Sequence, residues 1–454
     1  MLRRRGRTRR LGRRGFHRCR HLRVGGRGRG DLRDLRRRVA AIASDATTEG
    51  SAAKRYFAGT HRTIEPEVTL ERLRPLLPVL GITRVAVVTG LDNIGIPVVM
   101  VCRPNSRSLS VAQGKGTSLA AAKVSGIMES VEGWHGEHIL LPLRLATYRE
   151  LAAVARVVDV SALPRRLSSR FHSDLTILWV EGTDVFSGER KWVPYECIHL
   201  DFRVPGPQGS GCFASSSSGL AAGNTMLEAV SHALCEVIER DAITLWNNAT
   251  GVARAEGAVD PATVDDPGCR DLLETYESAA VGVRISDLTT DVGVPVFRAA
   301  AVDTRTESWR GLPAATGYGC HPSRAVALSR ALTEAAQGRL TAIAGSRDDL
   351  PPATYRRLRD RNVLRGHARR LEEASPRSFG EVPHLDAATL EEDVAHELDG
   401  LRAAGIREAI VVELGRKDVG IPVVRVVVPG LEAWYEKAEA CAPGPRLQAL
   451  LEKR

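Results

Sequence analysis

Glu228, His232, Glu236 and Glu239 follow one another at steps of four, four and three, so on a helix they share one face. Arg240 lies beside that stripe. Carboxylates crowded on one stripe repel each other unless a cation lies among them, and Glu in apolar surroundings needs a metal or an Arg/Lys partner. The surroundings are apolar. From Asn224 to Asn248 the chain reads NTMLEAVSHALCEVIERDAITLWNN, with Ala229, Ala233, Val237, Ile238 and Leu245 at helical spacing and no Gly or Pro. That pattern predicts one long helix.

The pattern recurs. Residues 116–134, GTSLAAAKVSGIMESVEGW, lie over residues 223–241, GNTMLEAVSHALCEVIERD, without a gap, with Glu129 on Glu236 and Glu132 on Glu239. AVALSRALTEAAQ, from Ala325 to Gln337, is a weaker third copy with Glu334 on Glu236. Three helices thus carry polar triplets at i, i+4, i+7: Ser125/Glu129/Glu132, His232/Glu236/Glu239 and Arg330/Glu334/Gln337. A single Glu-rich helix usually turns its acids to water. Three aligned copies, each acid flanked by Ala, Val, Ile or Leu, point instead to a site where three helices converge on a divalent ion and an anionic ligand. Mg²⁺ suits carboxylate oxygens and is often shared with phosphates. Zinc does not fit, because no CxxC or HExxH occurs.

The elements that must hold these helices also repeat. NIGIPVVMV (93–101), DVGVPVFRA (291–299) and DVGIPVVRV (418–426) share Gly, a β-branched residue, Pro and an apolar run, and follow TRVAVVTG, GVRISDL and EAIVVEL. Each reads as a strand pair, with Gly in the turn and Pro where the second strand starts. Repetition through the whole body argues for one integrated mixed α/β fold. A helix is expected from about Glu65 to Leu80 with Thr63 as its cap, and residues 346–400 read as peripheral helices that cover the core or meet a partner. Gln113-Gly114-Lys115-Gly116 precedes the first Glu helix. It is no phosphate-loop match, yet Lys115 near a helix N-terminus is a fair phosphate contact. PGPQGSGCFASSSSGLAAGN (205–224) leads into the second helix, and a linker and a nucleotide-cradling loop are both open readings of it.

Of the 454 residues 43% are hydrophobic, and no apolar run approaches the roughly 18 residues of a membrane span. The net charge of +10 is carried by residues 1–38, which hold 17 Arg and two Asp, a local +15. The rest is mildly acidic. This gives residues 1–53 the reading of an Arg-rich, disordered extension or an upstream mis-called start, with ordered chain from Lys54. Nucleic-acid binding is not supported, since no recognition fold or interleaved aromatics accompany the Arg run. The extension has no apolar core of a secretory signal. Eight scattered Cys are then most simply reduced thiols in a cytoplasm. Cys197, Cys212, Cys235 and Cys320 fall near the candidate site in sequence.

SGIMESVEGWHGE, SSGLAAGNTMLEAVSHALCEVIERDA and SRALTEAAQGRLTAIAGSRDD, in this order, make the chain from about Lys54 onward resemble a YcaO-domain protein of the kind that works with a TfuA protein. The resemblance implies an ATP/Mg²⁺ site without a phosphate loop. It places Ser125, Glu129 and Glu132 in the first ATP/Mg²⁺ motif, Asn224, Glu228, Glu236, Glu239 and Arg240 in the second, and Arg330 and Glu334 in the third. Arg62 and Thr69 sit at a spacing similar to the family's basic and hydroxyl pair. Ser218 stands where the family often has Asn. Together with the stripe, this makes Glu129, Glu132, Glu236 and Glu239 the metal candidates. Glu129, Glu236, Glu239 and Arg240 are the catalytic candidates, and Lys115 and His232 join the nucleotide contacts.

YcaO proteins use ATP to phosphorylate the oxygen of a peptide backbone amide. A neighbouring Cys, Ser or Thr side chain then gives an azoline, and external sulfide gives a thioamide. The chain ends ACAPGPRLQALLEKR, with Pro443 and Pro445 but no PxPxP, and its likeness to TfuA-associated members favours thioamide formation with a TfuA-like partner supplying sulfur. A cyclodehydratase acting on a ribosomal precursor peptide and a non-catalytic nucleotide-binding scaffold are the competing readings. The substrate would be a peptide or a protein, and a homodimer would be ordinary for such a chain.

Overall fold

A computed structural model of the chain describes residues 53–57, 59–304, 313–347, 349–433 and 441–453. The Arg-rich stretch of residues 1–38 lies outside the described residues. The fold is mixed α/β. Strands β1 (Arg55–Phe57) and β2 (Thr60–Arg62) form a short hairpin. The other sheets run β3 (Arg84–Val87), β4 (Val98–Cys102), β5 (Val111–Lys115); β6 (Leu143–Ala146), β7 (Ile177–Asp184), β14 (Ile410–Glu413), β15 (Val423–Val427), β9 (Leu220–Ala222), with β8 (Arg190–Pro194) beside β7; and β10 (Ala258–Val259), β11 (Val281–Asp287), β12 (Val296–Asp303), β13 (Ala315–Cys320).

The three expected strand pairs are the antiparallel hairpins β3–β4, β11–β12 and β14–β15. Their turn glycines, Gly95, Gly293 and Gly420, have φ of 88°, 75° and 71°. Side chains rarely adopt that region, which is why Gly stands at all three. An edge strand completes each unit: β5 on β4, β13 on β12, and β9 on β15. In the third unit the edge strand comes from far earlier in the chain.

Each edge strand feeds one Glu-bearing helix: β5 leads into α2 (Leu119–Glu137), β9 into α3 (Met226–Asn247) and β13 into α5 (Arg324–Ala344). The units agree residue by residue. The amides of Gly116, Gly223 and His321 donate to the carbonyls of Pro97, Pro422 and Pro295 in the matching turns. Ser118, Thr225 and Ser323 are the three N-caps, and the first two accept a first-turn amide with their hydroxyls. A Cβ on Gly114 or Gly319 would lie 2.0 or 2.1 Å from the carbonyl oxygen of Ala122 or Ala327, so these strands lie directly on their helices. The α5 face that packs inward, Ala327, Leu328, Ala331, Leu332 and Ala335, is buried.

Two local expectations are corrected. The first helix, α1, covers only Pro66–Leu73 before a 3₁₀ turn containing Pro75, and its cap is Glu65 rather than Thr63. Pro75 cannot continue an α-helix, and Thr63 is drawn away to Glu228. Residues 346–400 are not wholly peripheral. Helix α7 (Leu390–Ala403) buries Asp393, Val394, Glu397 and Leu398 completely, and packs against α3. The other helices used below are α4 (Pro267–Ser278) and α6 (Arg361–Leu371). They cover β11 and β12.

Candidate functional site

The three units turn their polar triplets toward one cavity of about 1000 Å³, whose wall includes the residues of the three motifs and their neighbours: Arg62, Thr69, Lys115, Ser125, Glu129, Glu132, Ser218, Asn224, Glu228, His232, Glu236, Glu239, Arg240, Arg330, Glu334 and Gln337. The central acids do the same local job. Glu129 accepts the Gln113 amide at 3.1 Å, Glu236 the Gly219 amide at 3.1 Å and Glu334 the Tyr318 amide at 3.2 Å. Glu132 reaches across to the Ala222 amide on β9 at 2.8 Å. Glu129, Glu132 and Glu334 thereby satisfy edge-strand donors, and Glu236 satisfies the amide just before β9.

Anchoring consumes one oxygen of each group. The second oxygens of Glu129 and Glu132 have no hydrogen bond among the described residues. Glu236 and Glu239 share Arg240, whose guanidinium lies 3.4 and 3.5 Å from them. Burial raises the pKa of Glu129. It raises that of Glu132 well above the ordinary value, with Glu129 and Glu236 adding to the shift. Burial lifts Glu239 to about 7 against the pull of Arg240, with Glu334 and Glu236 pushing it further. These are acids short of positive charge. Arg240 is held in its charged form, because Glu239, Glu236 and Glu334 outweigh its burial.

The opposite wall is basic. Burial, then Arg330, Arg62 and Lys115, keep the His232 imidazole neutral. Arg330 donates to the Cys320 carbonyl at 3.0 Å. Lys115 pairs with Glu334. Burial would raise Glu334, but Lys115, Arg240 and the Tyr318 amide together take it below its usual value. Lys115 thus enters the cavity already paired to an acid. Glu228 is not an open ligand either. It is 3% exposed, and it accepts the Thr63 amide and hydroxyl at 2.6 and 2.7 Å and the Asn224 amide at 2.8 Å. Thr69 donates to Asn224 at 3.1 Å. Glu228 and Asn224 therefore bind the segment that carries Arg62 to the start of α3.

The cavity also contains residues the motifs did not single out. Gln113 is 2% exposed, and among the described residues its side-chain nitrogen has no partner, while its amide oxygen faces the Thr341 hydroxyl. The Ser215 hydroxyl, in the Gly/Ser loop, is likewise buried and unpaired. Arg347 and Tyr318 complete this wall. Gln113 had a signal, two residues before Lys115, but nothing in the sequence said that β5 would face the site. Of the four cysteines, Cys235 and Cys320 line the cavity, whereas Cys197 and Cys212 belong to a separate hydrophobic core. The Ser/Gly loop itself is tied down by Glu196, which accepts the amides of Gly211, Cys212 and Phe213.

These features fit a Mg²⁺–nucleotide pair. Glu129 and Glu132 could hold a hard cation through their second oxygens, joined by the Glu236 and Glu239 oxygens that now face Arg240. Arg62, Arg240 and Arg330 offer the positive charge that phosphates need. The unpaired Gln113 and Ser215 groups are what a polar ligand would satisfy.

Residues 113–432 match the model of the YcaO cyclodehydratase family, described as ATP- and Mg²⁺-binding. A protein of Rhizobium leguminosarum bv. trifolii, named only for its place in the tfuA 3′ region, is 39% identical over 403 residues, 86% of this chain and 94% of that one. An uncharacterised Mycobacterium tuberculosis protein is 37% identical over 376 residues, 82% of this chain and 83% of its own. Among solved structures, YcaO from Methanopyrus kandleri bound with AMPPCP and Mg²⁺ shares the fold at a TM-score of 0.66 and 24% identity, over 87% of this chain and 98% of that one. A heterocyclase in complex with substrate and cofactor shares it at 0.69 and 23%, over 91% of this chain, which spans 58% of the heterocyclase. The shared fold, the acid-lined cavity between three repeated units and the matched sequence together show that this chain belongs to the YcaO family.

Proposed function

We propose that the chain uses ATP and Mg²⁺ to phosphorylate the oxygen of a backbone amide in a peptide or protein, and that external sulfide, delivered with a TfuA-like partner, converts the activated amide to a thioamide. The observation that carries the first part is the pair of acid sets on α2 and α3, which line one cavity, with Glu239 buried and Glu132 and Glu236 half-buried, and which are short of positive charge. An amide oxygen is a poor leaving group. A nucleophile adds to the carbonyl carbon, the oxyanion takes the γ-phosphoryl group of ATP, and phosphate departs as the C–O bond breaks. With sulfide the balance is amide plus ATP and hydrosulfide giving thioamide, ADP and phosphate.

The chemistry that Mg²⁺ would supply when held here is compensation of phosphate charge. Glu129, Glu132, Glu236 and Glu239 would hold it. Arg240, fixed between Glu236 and Glu239, and Arg330 would orient the phosphates, and Arg62 would close over them. Lys115 would exchange Glu334 for phosphate. Asn224 and Glu228 would keep the Arg62 segment in place, and Ser125 and His232 would line the nucleotide as neutral polar groups. Little beyond such positioning and charge stabilisation is needed.

Support for the sulfur step is the 39% identical relative placed by its name beside tfuA. The second reading is azoline formation, favoured by the family description and by the fold shared with a heterocyclase. Mass separates them: thioamidation adds about 16 Da, and cyclodehydration removes about 18 Da. A product of the second mass on a substrate treated with protein, TfuA-like partner, sulfide and ATP would overturn the thioamide reading. A third reading, a nucleotide-binding scaffold for a partner, requires that Glu129→Gln leave the modification unchanged. The catalytic unit would be residues 54–454, acting in the cytoplasm as a monomer or homodimer. Removal of residues 1–38 should then leave the chemistry intact.

A further inference from the structure

His61, His321 and Asp393 converge with their ligand atoms within 4.8 Å of one another, all three buried. That composition resembles a metal site, but two observations assign it otherwise. The Lys54 ammonium donates to both Asp393 oxygens, at 2.9 and 2.8 Å. The Nδ1 of His321 accepts the Ser323 amide at 2.9 Å, so the neutral ring carries its proton on Nε2 and has no lone pair there for a metal. The cation of this cluster is a lysine.

Lys54 opens the segment that delivers Arg62. Ala53 bridges to Thr389, and the Lys54 amide donates to the Ala388 carbonyl, so the segment starts at the head of α7. The Lys54 and Asp393 side chains are 4% and 0% exposed. The hairpin β1–β2 then turns at Gly59, where a Cβ would lie 2.2 Å from the Ser329 hydroxyl on α5. His61 packs edge-on against His321, with ring centroids 5.1 Å apart. Arg62 enters the cavity, and Thr63 ends on Glu228. The segment is thus fastened at two buried carboxylates, Asp393 and Glu228, with Arg62 between them. A buried pair of this kind contributes little net stability against an apolar pair of the same shape, yet removal of one partner leaves a stranded charge.

We propose that Lys54 and Asp393 are positioning residues for nucleotide binding: their ion pair buckles the segment of residues 53–63 to α7 and so sets Arg62 against the phosphates. This rests on the ATP assignment above. Asp393→Asn should weaken Mg²⁺-ATP binding about tenfold by calorimetry, and Arg62→Ala should do at least the same. In the Arg62→Ala background Asp393→Asn should add nothing, because both act through one guanidinium. The Lys54→Met/Asp393→Leu pair, which replaces the charges with apolar groups, should keep the fold and bind within about threefold of wild type. Losses that multiply in the double variant, or wild-type binding by Asp393→Asn, would overturn the proposal. Amide hydrogen exchange over residues 54–63 decides it independently of nucleotide. Asp393→Asn should speed exchange there while α2 stays protected. If the wild-type protein binds no ATP, the nucleotide assignment fails; unchanged exchange over 54–63 in Asp393→Asn sinks the buckle in either case.

Discussion

Glu129 on α2 and Glu334 on α5 occupy the same station in two copies of one design. Each follows an aligned N-cap, and each accepts the amide sixteen residues before it. Their electrostatics are opposite. Glu129 is raised by burial, whereas Glu334 is drawn down by Lys115 and Arg240. The neighbours on the stripe explain it. The first and second copies follow their central acid with a second acid, Glu132 or Glu239, and begin the stripe with Ser125 or His232. The third copy begins with Arg330 and ends with Gln337. One scaffold has therefore been given two charges. The stripe on α2 carries no cation of its own and that on α3 is followed by Arg240 alone, whereas α5 begins its stripe with Arg330 and pairs its acid with Lys115. A site for a metal–phosphate pair needs both, because each charge must find its opposite once water is excluded.

The largest test of that difference removes an acid from each wall. Glu132→Gln should abolish Mg²⁺-dependent nucleotide binding, a loss of about a hundredfold or more by calorimetry, while leaving the cation-free protein as stable or more so, since an acid with no ion-pair partner among the described residues is gone. Glu334→Gln should lower cation-free stability by about 1–3 kcal/mol in denaturant titrations, because Lys115 loses its ion-pair partner. Equal stability changes in the two walls would break the comparison.

A smaller effect is pH. In the cation-free protein Glu239 titrates near 7, above its unfolded value, so the folded form binds the proton more tightly. Glu239 therefore favours folding below its unfolded pKa, and that contribution is lost as pH rises toward 7. Mg²⁺ competes with the same proton, so Mg²⁺-nucleotide affinity should rise with pH through about 7 and level off above it. Asp241 and Asp393, each raised to about 6, bias raw stability in the same direction. The informative quantity is thus wild type minus Glu239→Gln, which cancels the two Asp contributions and should keep the step near 7 that the variant itself lacks.

The smallest effect concerns what the units share. Gly95, Gly293 and Gly420 have open space where a Cβ would go, so Ala at each meets only the cost of positive φ, about 1 kcal/mol. Three similar losses in thermal unfolding would confirm that the turns are equivalent. One outlier would show that a unit has diverged.

Much of this was legible in the chain. The turn Gly-X-Pro followed by a β-branched run specifies a hairpin through local sterics, and it did so three times. The i, i+4, i+7 triplets lie on one helix face by geometry alone. What was misread locally had tertiary causes. Thr63 looked like a cap but is claimed by Glu228, 165 residues away. Asp393 and Glu397 looked like surface acids of a peripheral helix, yet Lys54, Ser231 and Cys235 meet them in the core. Gln113 carried no pattern, because a residue in an edge strand becomes a site residue only through what that edge faces.

The sequence by itself determined the three hairpins, the three Glu-bearing helices and the kind of residue each would offer, since periodicity and backbone sterics act over a few residues. Only the tertiary structure decided that β9 completes the unit of β14 and β15 from some 200 residues earlier in the chain, that Glu129, Glu132 and Glu334 each give one oxygen to an edge-strand amide, and that Lys115 pairs with Glu334 and not Glu129. Those outcomes depend on burial and on contacts between distant segments, and no local pattern encodes either.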